Sequence, residues 1–127
     1  MSLCGLRYIL RDVNSLVDLQ MAEHGPDARV VTVTGEVDAL TAPQLADFLT
    51  TQLAVARLVV VNLDGVRFLA STGLRVLLEV DEIATQQDRH LRLVCNSPTA
   101  NLSLETTGLR EHFTFADTVP DALNRSL

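Results

Sequence analysis

The 127 residues are enough for one domain of ordinary size and too few for two, and a mix of 47% hydrophobic and 20% charged residues marks a folding chain, not a disordered or collagen-like one. Sixteen acids oppose ten bases, all of them arginine, giving a net charge of −6 and an isoelectric point near 4.8, a sign that disfavours a broad footprint on a phosphate backbone. Aromatics make up only 4% with no tryptophan, so the core must be aliphatic and no platform for base stacking is written here; no nucleic-acid partner is expected.

Residues 1–14 fit two readings, since Leu3, Leu6, Ile9 and Leu10 suit either a short amphipathic helix or an extra edge strand. The domain proper is placed at 15–127. From Leu16 to Met21 the apolar Val17, Leu19 and Met21 alternate with Asp18 and Gln20, as in a half-buried strand. His24-Gly25-Pro26-Asp27 supplies turn chemistry before the β-branched run Arg29–Thr34, so the two runs predict a hairpin ending at Gly35. Thr41 and Gln44 have capping-box spacing with Pro43 in the first turn, which predicts a helix from about Ala42 with Leu45, Phe48, Leu49 and Leu53 on its buried face.

Leu58–Leu63 is apolar on both faces and reads as a central strand covered by helices. A second helix starts near Ser71: Leu74, Leu77, Leu78, Val80 and Ala84 recur at helical spacing, and Arg75, Glu79, Glu82 and Gln86 form a narrow polar stripe in which Arg75 and Glu79 have ion-pair spacing. Leu91–Cys95 is another strand. Ser97-Pro98 opens a helix that runs to Thr107 and stops at Gly108, Phe113 and Phe115 flank Thr114 in a short last strand, and Thr118 with Asp121 caps a terminal helix. The order ββαβαβαβα predicts an α/β fold, a mixed β-sheet covered by α-helices.

Two stretches carry a specific signal: Val31-Thr32-Val33-Thr34-Gly35-Glu36-Val37-Asp38, and the run from Val61-Asn62-Leu63-Asp64-Gly65 through Phe68 to Ala70-Ser71-Thr72-Gly73-Leu74. With the order of elements they resemble the STAS domain family, and within it the free-standing anti-sigma factor antagonists. The resemblance implies a protein that binds an anti-sigma factor with serine kinase activity and so releases a sigma factor. It implies further that the kinase phosphorylates the serine matching Ser71, which ends the binding, and that a phosphatase restores it. Members carry an acidic residue just before that serine where this chain has Ala70, which keeps Thr72 as the alternative acceptor. They also often place glycines where Asp88-Arg89-His90 stands.

The residues expected at the partner surface are Glu36, Asp38, Ala70, Ser71, Thr72, Gly73, Arg75 and Glu79. Gly73 is read as giving a kinase close access to the backbone, and Asp38 equally as a cap for the helix that follows it. Ser71 or Thr72 as a simple N-cap is the plainer alternative to a phosphosite. The rival function is a non-phosphorylated STAS subunit of a multiprotein complex, such as a lipid-transport ATPase assembly.

No enzyme is expected. His24, His90 and His112 lack metal-ligand spacing, Ser-Thr-Gly is not a nucleophile elbow, and no phosphate-binding glycine loop occurs, so neither a metal nor a cofactor is foreseen. Cys4 and Cys95 are far apart with no Cys-x-x-Cys spacing. No apolar run approaches the ~18 residues that a membrane-spanning helix needs, and the first ten residues lack the pattern of a secretory leader. A cytoplasmic protein with reduced thiols and no membrane insertion is the expectation.

Overall fold

The alternation at Val17, Leu19 and Met21 buries those three side chains, and the strand they form starts the part of the sheet that the sequence predicts. The structure, a computed structural model, describes residues 7–11 and 17–124. Its strands are β1 (Arg7–Arg11), β2 (Val17–His24), β3 (Ala28–Val37), β4 (Leu58–Leu69), β5 (His90–Val94) and β6 (Phe115–Ala116). They form one sheet in sequence order, with β1, β2 and β3 antiparallel and β3 to β6 parallel. The helices are α1 (Ala42–Leu53), α2 (Ser71–Gln86), α3 (Pro98–Thr106) and α4 (Val119–Asn124), with a 3-10 turn at Arg110–His112. The predicted mixed α/β sheet is therefore observed, with β1 added at its edge. Of the two readings of residues 1–14, the edge strand holds for Arg7–Arg11, while Leu3, Leu6, Cys4 and Leu16 lie outside the described residues.

Two apolar layers explain why the central strands lack alternation. On one face Val31, Val33, Val59, Val61 and Leu93 pack against Leu45 and Leu49 of α1, Leu77 and Val80 of α2, and Leu104 of α3. On the other, Val30, Leu58, Val60 and Val94 are covered by Ala122 of α4. Each fully buried leucine or valine contributes about 1.5–3 kcal/mol, so this double-sided burial is the main stabilising term. Arg92 is buried on the α4 face, where its guanidinium donates to the Ala122 carbonyl at 2.7 Å, a cation placed against the last turn of a helix. Cys95 lies in the core, and burial is the main cause that pushes its thiol above the ordinary range. Among the described residues, no helix is long and apolar enough to cross a membrane.

Four expectations need correction. The central strand does not end at Leu63: β4 continues to Leu69, and β3 runs past Gly35 to Val37, because the two remain paired through register shifts near Thr34 and Glu36. Glycine makes the irregular pairing possible, since Gly35 has φ 99° and a Cβ on Gly65 would lie 2.6 Å from Thr34 Cγ2. The Thr41 side chain makes no capping bond at α1; its hydroxyl turns back to the Glu36 carbonyl at 3.0 Å. The last strand holds Phe115 but not Phe113, which is buried just after the 3-10 turn.

Elsewhere the turn chemistry behaves as expected. Ser97 caps α3 and Thr118 caps α4 through bonds to Ala100 N–H and Asp121 N–H, and Gly108 has φ 73° after α3. Asp88 takes φ 57° at the junction after α2, the left-handed conformation that Asp tolerates better than most residues.

Candidate functional site

The carboxyl ends of β3 and β4 lie side by side: Val37 pairs with Leu69, and the Ala70 N–H donates to the Val37 carbonyl at 2.8 Å. This pairing places Glu36–Asp38 directly beside Ala70–Ser71, so the two stretches singled out in the sequence meet at one end of the sheet. Ala70 is extended (φ −79°, ψ 167°) and is itself the N-cap of α2, which makes Ser71 the first helical residue. Ser71 and Thr72 are both exposed, and neither serves as the capping side chain.

Their hydroxyls make no hydrogen bond among the described residues, unlike those of Thr50, Thr51 and Thr85, which donate to carbonyls four residues back. A residue in the first turn has no helical carbonyl at that distance.

Three helix starts differ in how the N–H groups at or just before them are satisfied. In the turn that leads into α1, ahead of its first residue, the Asp38 carboxylate accepts from Leu40 N–H at 2.9 Å and Thr41 N–H at 3.1 Å, while the Asp38 N–H donates to Thr41 Oγ1 at 2.9 Å. At α3 Ser97 Oγ accepts from Ala100 N–H at 3.3 Å and donates to the Val66 carbonyl at 2.6 Å. At α2 the methyl of Ala70 offers nothing, and the first-turn N–H groups find no side-chain acceptor among the described residues, at the positive end of a helix of 16 residues.

Asp38 is therefore a builder of the β3–α1 turn, and its carboxylate faces the chain's own backbone. Glu36 is half-buried and approaches Arg67 at 4.0 Å, a pair whose exposed arginine makes it worth little. Gly73 overturns its expected role. It is buried, and a Cβ there would sit 2.6 Å from Val37 Cγ1 and 2.8 Å from Leu69 Cδ1; the glycine seats α2 on the strand ends, and its missing side chain opens nothing to a kinase. Arg75 and Glu79 are exposed, and the ion pair expected between them is not formed. Arginine ahead of glutamate is the weaker order on a helix, and both side chains are well solvated.

Ser71 stands on a ridge between two grooves. One, of about 520 Å³, runs between α1 and α2; Ala39, Ala42, Pro43 and Ala46 form one wall, and Ser71, Thr72, Arg75 and Glu79 the other. The second, of about 270 Å³, lies between Leu69, Ser71 and Leu74 and the α3 residues Leu102, Ser103 and Thr106. Three large apolar side chains stand exposed at this end: Leu40 at 86%, Leu102 at 63% and Phe68 at 47%.

Sequence reasoning missed Leu40 and Leu102 as surface residues. Spacing held the signal for Leu102, because α3 buries Ala100 and Leu104, and a residue midway between them on a helix faces the opposite side. Leu40 sits inside the Asp38 turn, where no periodicity operates.

The site's frame is stiff. Asp64 accepts from Asn96 N–H at 2.7 Å and from Asn96 Nδ2 at 3.1 Å, and the same Nδ2 donates to the Asp117 carbonyl at 3.1 Å. These bonds clamp the loop before α3 to β4, which fixes Leu102 relative to Ser71. Further along α2, Asp81 lies 3.7 Å from His112 Nε2. Burial pushes the Asp81 carboxyl above its ordinary value, with His112 pulling it down and Glu82 pushing it up. Among the described residues, no group of histidine, cysteine or acidic side chains is arranged to hold a metal.

Residues 20–122 match the STAS domain family. The chain belongs to the STAS domain family. One relative is an anti-sigma-B factor antagonist of Staphylococcus aureus, 33% identical over 82 residues that make up 64% of this chain and 76% of that protein. Among solved STAS structures, an anti-sigma factor antagonist from Mycobacterium paratuberculosis superimposes with a TM-score of 0.77 at 30% identity, covering 90% of this chain and 96% of that one. The Bacillus cell fate determinant SpoIIAA in its phosphorylated form shares the fold, with a TM-score of 0.65 at 20% identity over 84% of this chain and 97% of that one.

Proposed function

We propose that this STAS domain is an anti-sigma factor antagonist: a cytoplasmic protein that binds an anti-sigma factor with serine kinase activity, releases a sigma factor, and is switched off by phosphorylation at Ser71. The observation that carries the reading is the start of α2. Ser71 offers an exposed hydroxyl with no hydrogen bond among the described residues, at a helix end whose N–H donors have no capping side chain. Phosphorylation adds about −1.5 to −2 charges at neutral pH, next to donors that an anion satisfies. Those charges appear on a ridge flanked by exposed Leu102 and Leu40, apolar surface that a protein partner would cover.

The relatives named above support the antagonist reading, and SpoIIAA is described in a phosphorylated form. The alternative of a structural subunit beside a lipid-transport ATPase rests on none of them. The partner surface proposed is Ser71, Thr72, Arg75 and Glu79 on α2 with Glu36 and Ala70 beside them; Asp38 and Gly73 shape it from beneath. Thr72 remains the second candidate acceptor.

The test is incubation of the protein with ATP and candidate anti-sigma kinases, with mass spectrometry to locate phosphate. Phosphate on Ser71 is expected, lost in Ser71→Ala. Phosphate on Thr72 alone moves the switch by one residue, and no phosphate from any kinase contradicts the proposal.

A further inference from the structure

Ser71 and Arg75 are four residues apart on α2, so their side chains lie on one face, and both line the groove against Ala42, Pro43 and Ala46 of α1. The α1 wall of that groove is apolar and brings no carboxylate to Arg75. The acid that does share the groove, Glu79, forms no ion pair with it. Order along the helix explains this. Acid–base pairs four residues apart are stronger when the acid comes first, in accord with the helix dipole. Arg75 followed by Glu79 has the unfavourable order. A phosphate on Ser71 followed by Arg75 has the favourable one, carries about two charges where a glutamate carries one, and suits the forked donors of a guanidinium.

Building on Ser71 as the phosphorylation site, we propose that phosphorylation captures Arg75. In the unmodified protein Arg75 stands in the groove as a cation available to a partner. Once Ser71 is phosphorylated, the guanidinium folds back along the helix onto the phosphate. One modification then changes the surface twice, by adding negative charge at Ser71 and by withdrawing the groove's arginine. The capture also gives the phosphate a counter-ion within the chain, at a helix start that has no capping side chain of its own.

The test places phosphoserine at position 71 of the full chain by co-translational incorporation, so that no kinase is needed, and follows the second ionisation of the phosphate by phosphorus NMR. Arg75→Gln is expected to raise that apparent pKa by about 0.4 unit relative to the phosphorylated wild type, with Arg75→Lys in between. Arg57→Gln, at the opposite end of β4, is expected to leave it unchanged. Equal values in wild type and Arg75→Gln would overturn the capture, and so would an equal shift from Arg57→Gln, which would show only the field of the whole protein. A Ser71 that no kinase modifies would remove the functional proposal and leave this titration intact. A titration blind to Arg75 would remove the capture and leave a switch at Ser71 standing.

Discussion

The starts of α1 and α2 lie next to each other at the same end of the sheet, yet they are built on opposite plans. At α1 the chain closes on itself: the Asp38 carboxylate takes two backbone N–H groups, and Thr41 both accepts from Asp38 and donates to Glu36. At α2 the residue in the capping position is alanine, and the two hydroxyls that follow it are exposed, with no hydrogen bond among the described residues. A capping side chain contributes about 0.5–2 kcal/mol, so leaving α2 uncapped forgoes stability that α3 collects from Ser97. The closed start holds the loop in place; the open one leaves donors and a hydroxyl accessible to the modification proposed at Ser71.

Substitutions that exchange these two plans break or sharpen the comparison. The largest effect belongs to the contact that joins them. Gly73→Ala drives a methyl into Val37 and Leu69, and it should cost about 1–3 kcal/mol in urea unfolding despite alanine's better helix propensity. A midpoint that stays the same or rises would show that α2 is not seated through this glycine. Asp38→Ala removes the two hydrogen bonds that hold the turn leading into α1 and should destabilise by about 1–2 kcal/mol, while Asp38→Asn, which keeps an acceptor, recovers most of the loss. Equal losses in the two variants would mean that charge, not capping, holds the turn.

Ala70→Asp closes the start of α2. It is expected to raise the unfolding midpoint by the equivalent of about 1 kcal/mol, and to lessen the stability that phosphorylation of Ser71 confers by setting a carboxylate on the same donors. Thermal melts of the four forms, with and without aspartate and phosphate, measure that non-additivity; strict additivity would contradict an open α2 start.

The smallest effect lies further down α2. Because the folded-state pKa of Asp81 is raised, its contribution to stability is present at acid pH and fades as the pH rises through that value. Asp81→Asn should flatten the stability profile above pH 3.8 and change little below it, to be read from urea midpoints across pH.

Much of this was legible because apolar pattern and local turn chemistry agree along most of the chain. The sheet, the helix faces and the caps at Ser97 and Thr118 follow from spacing and residue type, and α2 starts at Ser71 as its pattern requires. The misses share one physical cause, long-range packing that overrides a local signal. The central strand reads as Leu58–Leu63, but β3 keeps β4 paired through Asp64-Gly65 to Leu69. Gly73 reads as open backbone, yet it is closed by Val37 and Leu69, residues far from it in sequence or on the preceding strand. Thr41 and Gln44 match a capping box, but the Thr41 hydroxyl is engaged in the preceding turn, accepting from Asp38 N–H and donating to the Glu36 carbonyl. Glu36, Ser71, Arg75 and Glu79, expected at the partner surface, are exposed or half-buried, whereas the apolar Leu40 carried no sequence signal of exposure.

The central claim is that the open start of α2 is a switch, and calorimetric titration of an anti-sigma factor kinase with the unmodified and the Ser71-phosphorylated protein tests it most directly. Tight binding by the unmodified form and a loss of roughly tenfold or more on phosphorylation is the predicted result. Equal affinity for the two forms would contradict it.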